Sequence, residues 1–244
     1  MTLSRMVGMH GRESRARLRG AVARGDGASL VALLREGPWP EHALQLIGDG
    51  LLGALARRVT GADDLARECV AALRDRGWEG DAELAEALDS RLGTGPTSLL
   101  RSLPVDLEAL AAVLEGDPTQ GGGRIDLRTG DVWPQPAIEY AQEAGEDDGE
   151  DPERWLWIHG EGSRANYRDM EVFIAGVDDP DTADRLNIAI TGRGAFGRFK
   201  DLLTRWPDLH NRWYAYSEDR QRGRARAWLV REGHTPTPTQ PYES

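Results

Sequence analysis

The chain has 244 residues, with 41 acidic against 30 basic side chains and a net charge of −11, a length that fits one large domain or two small ones. Its 39% hydrophobic content supplies a real core, no run reaches the ~18 apolar residues of a membrane helix, and residues 1–11 lack the apolar stretch of a secretory signal, so a soluble cytoplasmic protein is expected. The single cysteine, Cys69, excludes a disulfide scaffold and an all-cysteine zinc site.

Residues 1–11 are expected to be flexible. Leu18 and Val22 mark a short basic helix, and residues 30–35 a second before Gly37-Pro38. A longer helix is predicted over 41–58, with Leu44, Ile47, Leu51, Leu52 and Leu55 at i, i+3, i+4 spacing. A fourth over 62–76 puts Leu65, Cys69, Ala72 and Leu73 on one face and ends at Gly77, and a fifth over 81–92 ends at Gly93. The stretch from Val31 to Trp39 echoes that from Val70 to Trp78 at an offset of 39 residues. That is close to the period of helix-pair repeats, which need about three copies to be stable. With two copies in hand, a repeat array and a plain bundle both stay open. Residues 97–103 are expected to form a hinge, and 105–114 a helix with Asp106 and Glu108 near its positive end.

The character changes after Gly121-Gly122-Gly123. Alternating residues from Arg124 to Trp133 around Thr129-Gly130-Asp131 predict a β-hairpin. Residues 143–153 are acidic and are expected to form a mobile loop. Residues 155–159 read as a strand, and Ser163 as the cap of a helix whose apolar face is Met170, Phe173, Ile174 and Val177. Two further helices, 181–190 and 195–205, are joined through Gly192-Arg193-Gly194. Residues 212–216 read as a short aromatic strand, and Ser217 as the start of a helix reaching 231. The tail, 235–244, is expected to be disordered. The fold class is therefore α+β: an all-α helical domain over 12–103, then, over 104–234, a small antiparallel sheet (the hairpin, 155–158 and 212–216) packed with helices.

Several segments occur in a telling order: Val105-Asp-Leu-Glu-Ala-Leu, Ile125-Asp-Leu-Arg-Thr-Gly-Asp-Val132, Tyr167-Arg-Asp-Met-Glu-Val-Phe-Ile174 and Ile190-Thr-Gly-Arg-Gly-Ala-Phe-Gly-Arg-Phe-Lys-Asp-Leu202. Arg212-Trp-Tyr-Ala-Tyr216, Arg220 and Ala227-Trp-Leu229 follow. Over about residues 104–234 this resembles an uncharacterised bacterial protein family. The resemblance implies membership and brings no activity with it.

No catalytic residue, metal ligand or cofactor is assigned. His10, His42, His159, His210 and His234 are scattered without metal-site spacing, Gly160-Glu-Gly-Ser163 lacks the closing glycine of a nucleophile elbow, and no phosphate-loop or dinucleotide motif occurs. Cys69 reads as a small buried hydrophobe. Gly192, Arg193, Gly194, Arg198 and Lys200 are candidate anion ligands, since glycines at a helix entrance leave backbone N–H groups open to a phosphate. The same glycines equally suit a tight helix–helix turn, or a surface for a protein. Tyr214 and Arg220 are possible partner contacts, although Arg220 can equally pair with Asp219, Glu218 or the acidic stretch 139–184. That stretch has a net charge of −12 and residues 185–231 one of +7, which suggests a basic surface inside an acidic protein. The overall charge argues against broad nucleic-acid affinity. The expected function is an intracellular, non-enzymatic binding or regulatory protein acting through a protein partner. The alternative is a phosphate- or nucleotide-binding domain, an enzyme or nucleic-acid-binding module included, working at Gly192 to Lys200.

Overall fold

Apolar residues at helical spacing build the N-terminal half as α1 (Leu3–Ala23), α2 (Gly27–Arg35), α3 (Leu44–Ala56), α4 (Ala62–Arg76) and α5 (Asp81–Leu92). They close on one core containing Leu30, Ile47, Leu51, Cys69, Leu73 and Leu88. The computed structural model describes residues 3–119, 121–145 and 151–237, the first ten as backbone alone. α1 begins at Leu3, inside the stretch expected to be flexible. The Asp26 side chain accepts the Ser29 N–H at 3.0 Å at the start of α2. Gly77 and Gly93 end α4 and α5 in the left-handed conformation, at φ 62° and 71°.

The C-terminal half alternates short strands with helices: β1 (Arg101–Leu103), α6 (Leu107–Leu114), β2 (Gly123–Asp126), β3 (Val132–Pro134), α7 (Gln135–Ala144), β4 (Trp155–Ile158), α8 (Arg164–Ala175), α9 (Pro180–Ala189), α10 (Ala195–Leu203), α11 (Pro207–Arg231) and β5 (His234–Pro236). One sheet is antiparallel, ordered β3-β2-β4, and β1 pairs with β5 in parallel. The fold is α+β. On β2, Ile125 faces the core, while Arg124 stands between Trp133 and Trp157 in register and lies 3.7 Å over the Trp155 ring.

Several local expectations are corrected. Residues 212–216 are helical, and Ser217 lies inside α11 rather than at its start. Trp213 and Tyr216, three residues apart, are buried together against Phe173, so packing overrides the strand preference of an aromatic run. Pro207 at the first turn, followed by Asp208, starts the helix instead. The expected hinge ends as β1, and Thr235 and Pro236 belong to β5 rather than to a disordered tail; residues 238–244 lie outside the described ones. Of the expected acidic loop, Glu143 and Ala144 end α7, while 146–150 lie outside the described residues. Ser163 does sit at the cap position of α8, but its side chain makes no capping hydrogen bond.

α11 is the axis of the molecule, and its arginines explain why. Arg220, Arg222, Arg224 and Arg226 recur every second residue, a step of about 200° around a helix, so 220 and 224 face one way and 222 and 226 the other. Arg220 and Arg224 hold Asp169 of α8, at 3.0 and 2.6 Å. Arg222 and Arg226 hold Asp49 of α3. Arg224 also reaches Glu115 at 2.9 Å, just beyond α6. One turn earlier, buried Asp219 accepts the Gln45 N–H at 2.9 Å and the guanidinium of Arg76. Arg76 also grips buried Asp81 at 2.6 Å, and Asp81 accepts from Gln45 Nε2 at 2.8 Å and the Trp78 N–H at 2.9 Å. Every helix of the N-terminal core except α2 touches this chain of charges directly, since Arg15 and Arg19 of α1 pair with Glu218 at 3.1 and 3.0 Å.

The crossing of α11 over the turn between α4 and α5 needs glycine on both sides. A Cβ on Gly223 would lie 2.2 Å from the Glu79 carbonyl oxygen, and one on Gly80, at φ +86°, 2.1 Å from that of Gly223. Gly223→Ala is therefore expected to cost at least about 2 kcal/mol, since neither backbone can yield without breaking the network. Gly197→Ala, in a helix with open space around the new methyl, is expected to stabilise by about 0.5 kcal/mol. Urea unfolding of the two variants against the parent checks both signs.

Candidate functional site

α9 starts at Pro180 behind Asp179, whose side chain accepts the Thr182 N–H at 3.0 Å. α10 is entered through Gly192 and Gly194, at φ 80° and 75°, which only glycine adopts without strain. A Cβ on Gly192 would meet nothing within 4 Å, so conformation rather than close packing calls for it. The Arg198 side chain turns back over this bend. Its Nε donates to the Ala189 carbonyl at 3.1 Å, its Nη2 to that of Thr191 at 2.7 Å, and its Nη1 to that of Arg193. Arg198 thus satisfies carbonyls left open at the end of α9 and in the bend, which engages three of its five N–H donors. Ala195 and Phe196, the first residues of α10, pack into the cluster of Phe173, Phe199 and Trp213. Of the nominated cations, Arg193 and Lys200 are exposed, with no ion-pair partner among the described residues.

The basic surface expected from residues 185–231 is smaller than the charge count implies, because Arg220, Arg222, Arg224 and Arg226 of α11 are turned inward onto carboxylates. Exposed cations of this stretch gather instead on and beside α9 and α10, Arg185, Arg193, Lys200 and Arg205 among them. Between the two helices runs an open groove of about 480 Å³ whose walls include Arg185, Leu202, Asp201 and Arg205. Ile188, also on its rim, is 74% exposed, and Val172 of α8 is 55% exposed.

The two nominated contact residues separate. Tyr214 is 45% exposed, its ring tilted on His210 with centroids 4.7 Å apart. Arg220 is not: it pairs with Asp169, within the acidic stretch, and lies 5.1 Å over the Trp78 ring. Asp126 and Asp131 serve their own turn, accepting from the Arg128 N–H at 2.8 Å and the Thr129 hydroxyl at 2.7 Å.

One cluster carried no sequence signal of its own. His42 holds a left-handed backbone at φ 56°, a region that histidine, with asparagine and aspartate, enters more often than other non-glycine residues. Its ring stacks on Trp78, with centroids 5.8 Å apart, and stands edge-on to Tyr216 at 5.2 Å. Its carbonyl accepts from Arg15, and its Nε2 lies 3.2 Å from Glu41. Burial is the main cause holding His42 below its ordinary value near 6.5, against the pull of Glu41 and Asp219 and with the push of Arg212 and Arg76. Burial likewise raises the Tyr216 phenol and pushes the Cys69 thiol up to about 12.

A histidine whose folded pKa is depressed binds protons more readily in the unfolded chain, so its contribution is complete above about 6.5 and is lost as pH falls below it. Between pH 7.5 and 5.5 the melting temperature of His42→Asn is expected to fall less than that of the parent. Parallel thermal melts at the two pH values check this, the asparagine keeping the left-handed backbone accessible.

Residues 139–240 match the family model described as Uncharacterised protein family (UPF0158). A Pseudomonas aeruginosa protein that carries the same family name is 29% identical over 137 residues, which is 53% of this chain and 84% of that protein. The family match takes in α8 to α11 and β5, and so both the groove and the arginine-bearing axis, while α1 to α5 lie outside it. No solved structure matches the chain. Among the described residues no helix is long and apolar enough to cross a membrane, and no group of three or more His, Cys, Asp or Glu side chains is placed to hold a metal ion.

Proposed function

We propose that this protein is a non-enzymatic binding or regulatory protein of the bacterial cytoplasm that acts through a protein partner received on the α9–α10 face. Ile188 carries the reading: a large apolar side chain stands 74% exposed beside a groove flanked by Arg185 and Arg205. Neither arginine has an ion-pair partner among the described residues, in a chain of net charge −11. An apolar anchor ringed by polar and charged groups is the anatomy of a protein interface. The chemistry that fits is an amphipathic acidic segment, its apolar side covering Ile188 and Leu202 and its carboxylates meeting Arg185 and Arg205. Cys69, buried with its thiol raised to about 12, is unsuited to nucleophilic work. The phosphate alternative rests on Arg193 and Lys200 alone, since Arg198 is engaged with carbonyls.

Burying an anchor of this size is worth about 2 kcal/mol at the centre of an interface. Affinity capture from a bacterial lysate with the parent and with Ile188→Asp/Arg185→Glu is expected to show an acidic partner retained by the first and reduced at least tenfold on the second. Identical captured sets contradict the reading. A thermal-shift panel of nucleotides tests the alternative, which requires stabilisation that disappears in Arg193→Ala/Lys200→Ala.

A further inference from the structure

A second cavity lies elsewhere, between the ends of α3 and α5 on one side and the segment 97–104 with β5 on the other. It measures about 650 Å³, inside the range of about 300–1,000 Å³ typical of binding sites. Its apolar lining includes Leu52, Ala56, Ala87 and Leu100. Among the described residues that line it none is Asp or Glu, although acids outnumber bases 41 to 30 in the chain. Two are arginines, Arg57 and Arg91, both exposed and both without an ion pair among the described residues. This contrasts with α11, whose four alternate arginines all hold carboxylates.

One wall also offers backbone. In the parallel pair, the Arg101 N–H donates to the Gly233 carbonyl at 3.1 Å, and the Leu103 carbonyl accepts the Thr237 N–H at 2.9 Å. Successive residues of a strand point their polar groups to opposite sides, so the N–H and C=O of Ser102 face away from β5. Ser102 lines the cavity, and the far edge of β1 has no strand against it among the described residues. Next to it Leu99 is 99% exposed.

We infer that this cleft binds an extended acidic peptide segment, which adds as a strand to the open edge of β1 and sets its carboxylates against Arg57 and Arg91. Strand addition draws affinity from main-chain hydrogen bonds and selectivity from alternate side chains. A peptide of this kind has its backbone met by Ser102, its apolar side chains by Leu52, Ala87 and Leu100, and its charge by the two arginines. The site is separate from the α9–α10 face and stands or falls independently of it.

The test is a selection of random octapeptides displayed on phage against the full-length chain and against Arg57→Glu/Arg91→Glu. Both side chains are exposed and outside the ion-pair network, so the variant is expected to fold, which far-UV circular dichroism checks; Arg57→Gln/Arg91→Gln serves in its place if it does not. The parent is expected to enrich octapeptides carrying Asp or Glu, and the best of these to bind the variant at least tenfold more weakly. Hydrogen exchange at the Ser102 amide is expected to slow at least tenfold when such a peptide is bound. Absence of acidic enrichment on the parent, or equal affinity for parent and variant, overturns the site. Acidic peptides that bind through the arginines while Ser102 exchange stays unchanged overturn the strand addition.

Discussion

A single carboxylate, Asp219, completes a helix that lies 174 residues before it in the chain. α3 has Ala43 at its cap position and no side chain of its own to satisfy its first N–H groups, and Asp219 accepts from Gln45 in its place. A negative charge at a helix N-terminus is favourable twice over, through the hydrogen bond and through the helix dipole. Fully buried, the same charge would be costly without a cation, and Arg76 from the last turn of α4 supplies it. Arg76 in turn binds Asp81 at the first residue of α5. Three helix ends of the N-terminal half thus meet on α11.

The same helix carries this order outward. Its alternate arginines divide between Asp49 in α3 and Asp169 in α8, so α11 is clamped between the two halves. Burial alone would raise Glu218, but Arg15, Arg222 and Arg19 outweigh it and hold its carboxyl below the usual range. The end of α11 delivers β5 to β1, which forms the wall of the large cleft. With the four alternate arginines of α11 drawn inward, Arg185 and Arg205 are among the cations left outside, beside Ile188, as are Arg57 and Arg91 at the cleft.

Much of the helical scaffold is legible in the sequence because its information is local. Leu44, Ile47 and Leu51 repeat at helical spacing, and Gly77 and Gly93 stop helices where the chain must turn left-handed. The hairpin follows from its turn, as does the strand from Trp155. What the sequence hides is non-local. The capping of α3 by Asp219 and the pairing of β1 with β5 join residues more than 130 positions apart, with no spacing to announce them. Trp213, Tyr214 and Tyr216 favour a strand by composition, and only the partners of Trp213 and Tyr216 make them helical. The arginines at 220, 222, 224 and 226 do show their two-sided pattern in the sequence once the segment is known to be a helix. The position of Arg198 beside the bend is visible in the sequence, and its three carbonyl acceptors are not.

The central claim is that the two halves form one cooperative body locked through Asp219. Guanidinium unfolding followed by tryptophan fluorescence and by far-UV circular dichroism tests it most directly, in the parent and in Asp219→Ala. Removing Asp219 leaves Arg76 with Asp81 alone and the buried Gln45 N–H without an acceptor, which should cost about 1–3 kcal/mol. One coincident transition for both probes is expected in the parent, and a transition at lower denaturant, reduced in unfolding free energy by that amount, in the variant. Two separate transitions in the parent, or a midpoint that Asp219→Ala leaves in place, would contradict it.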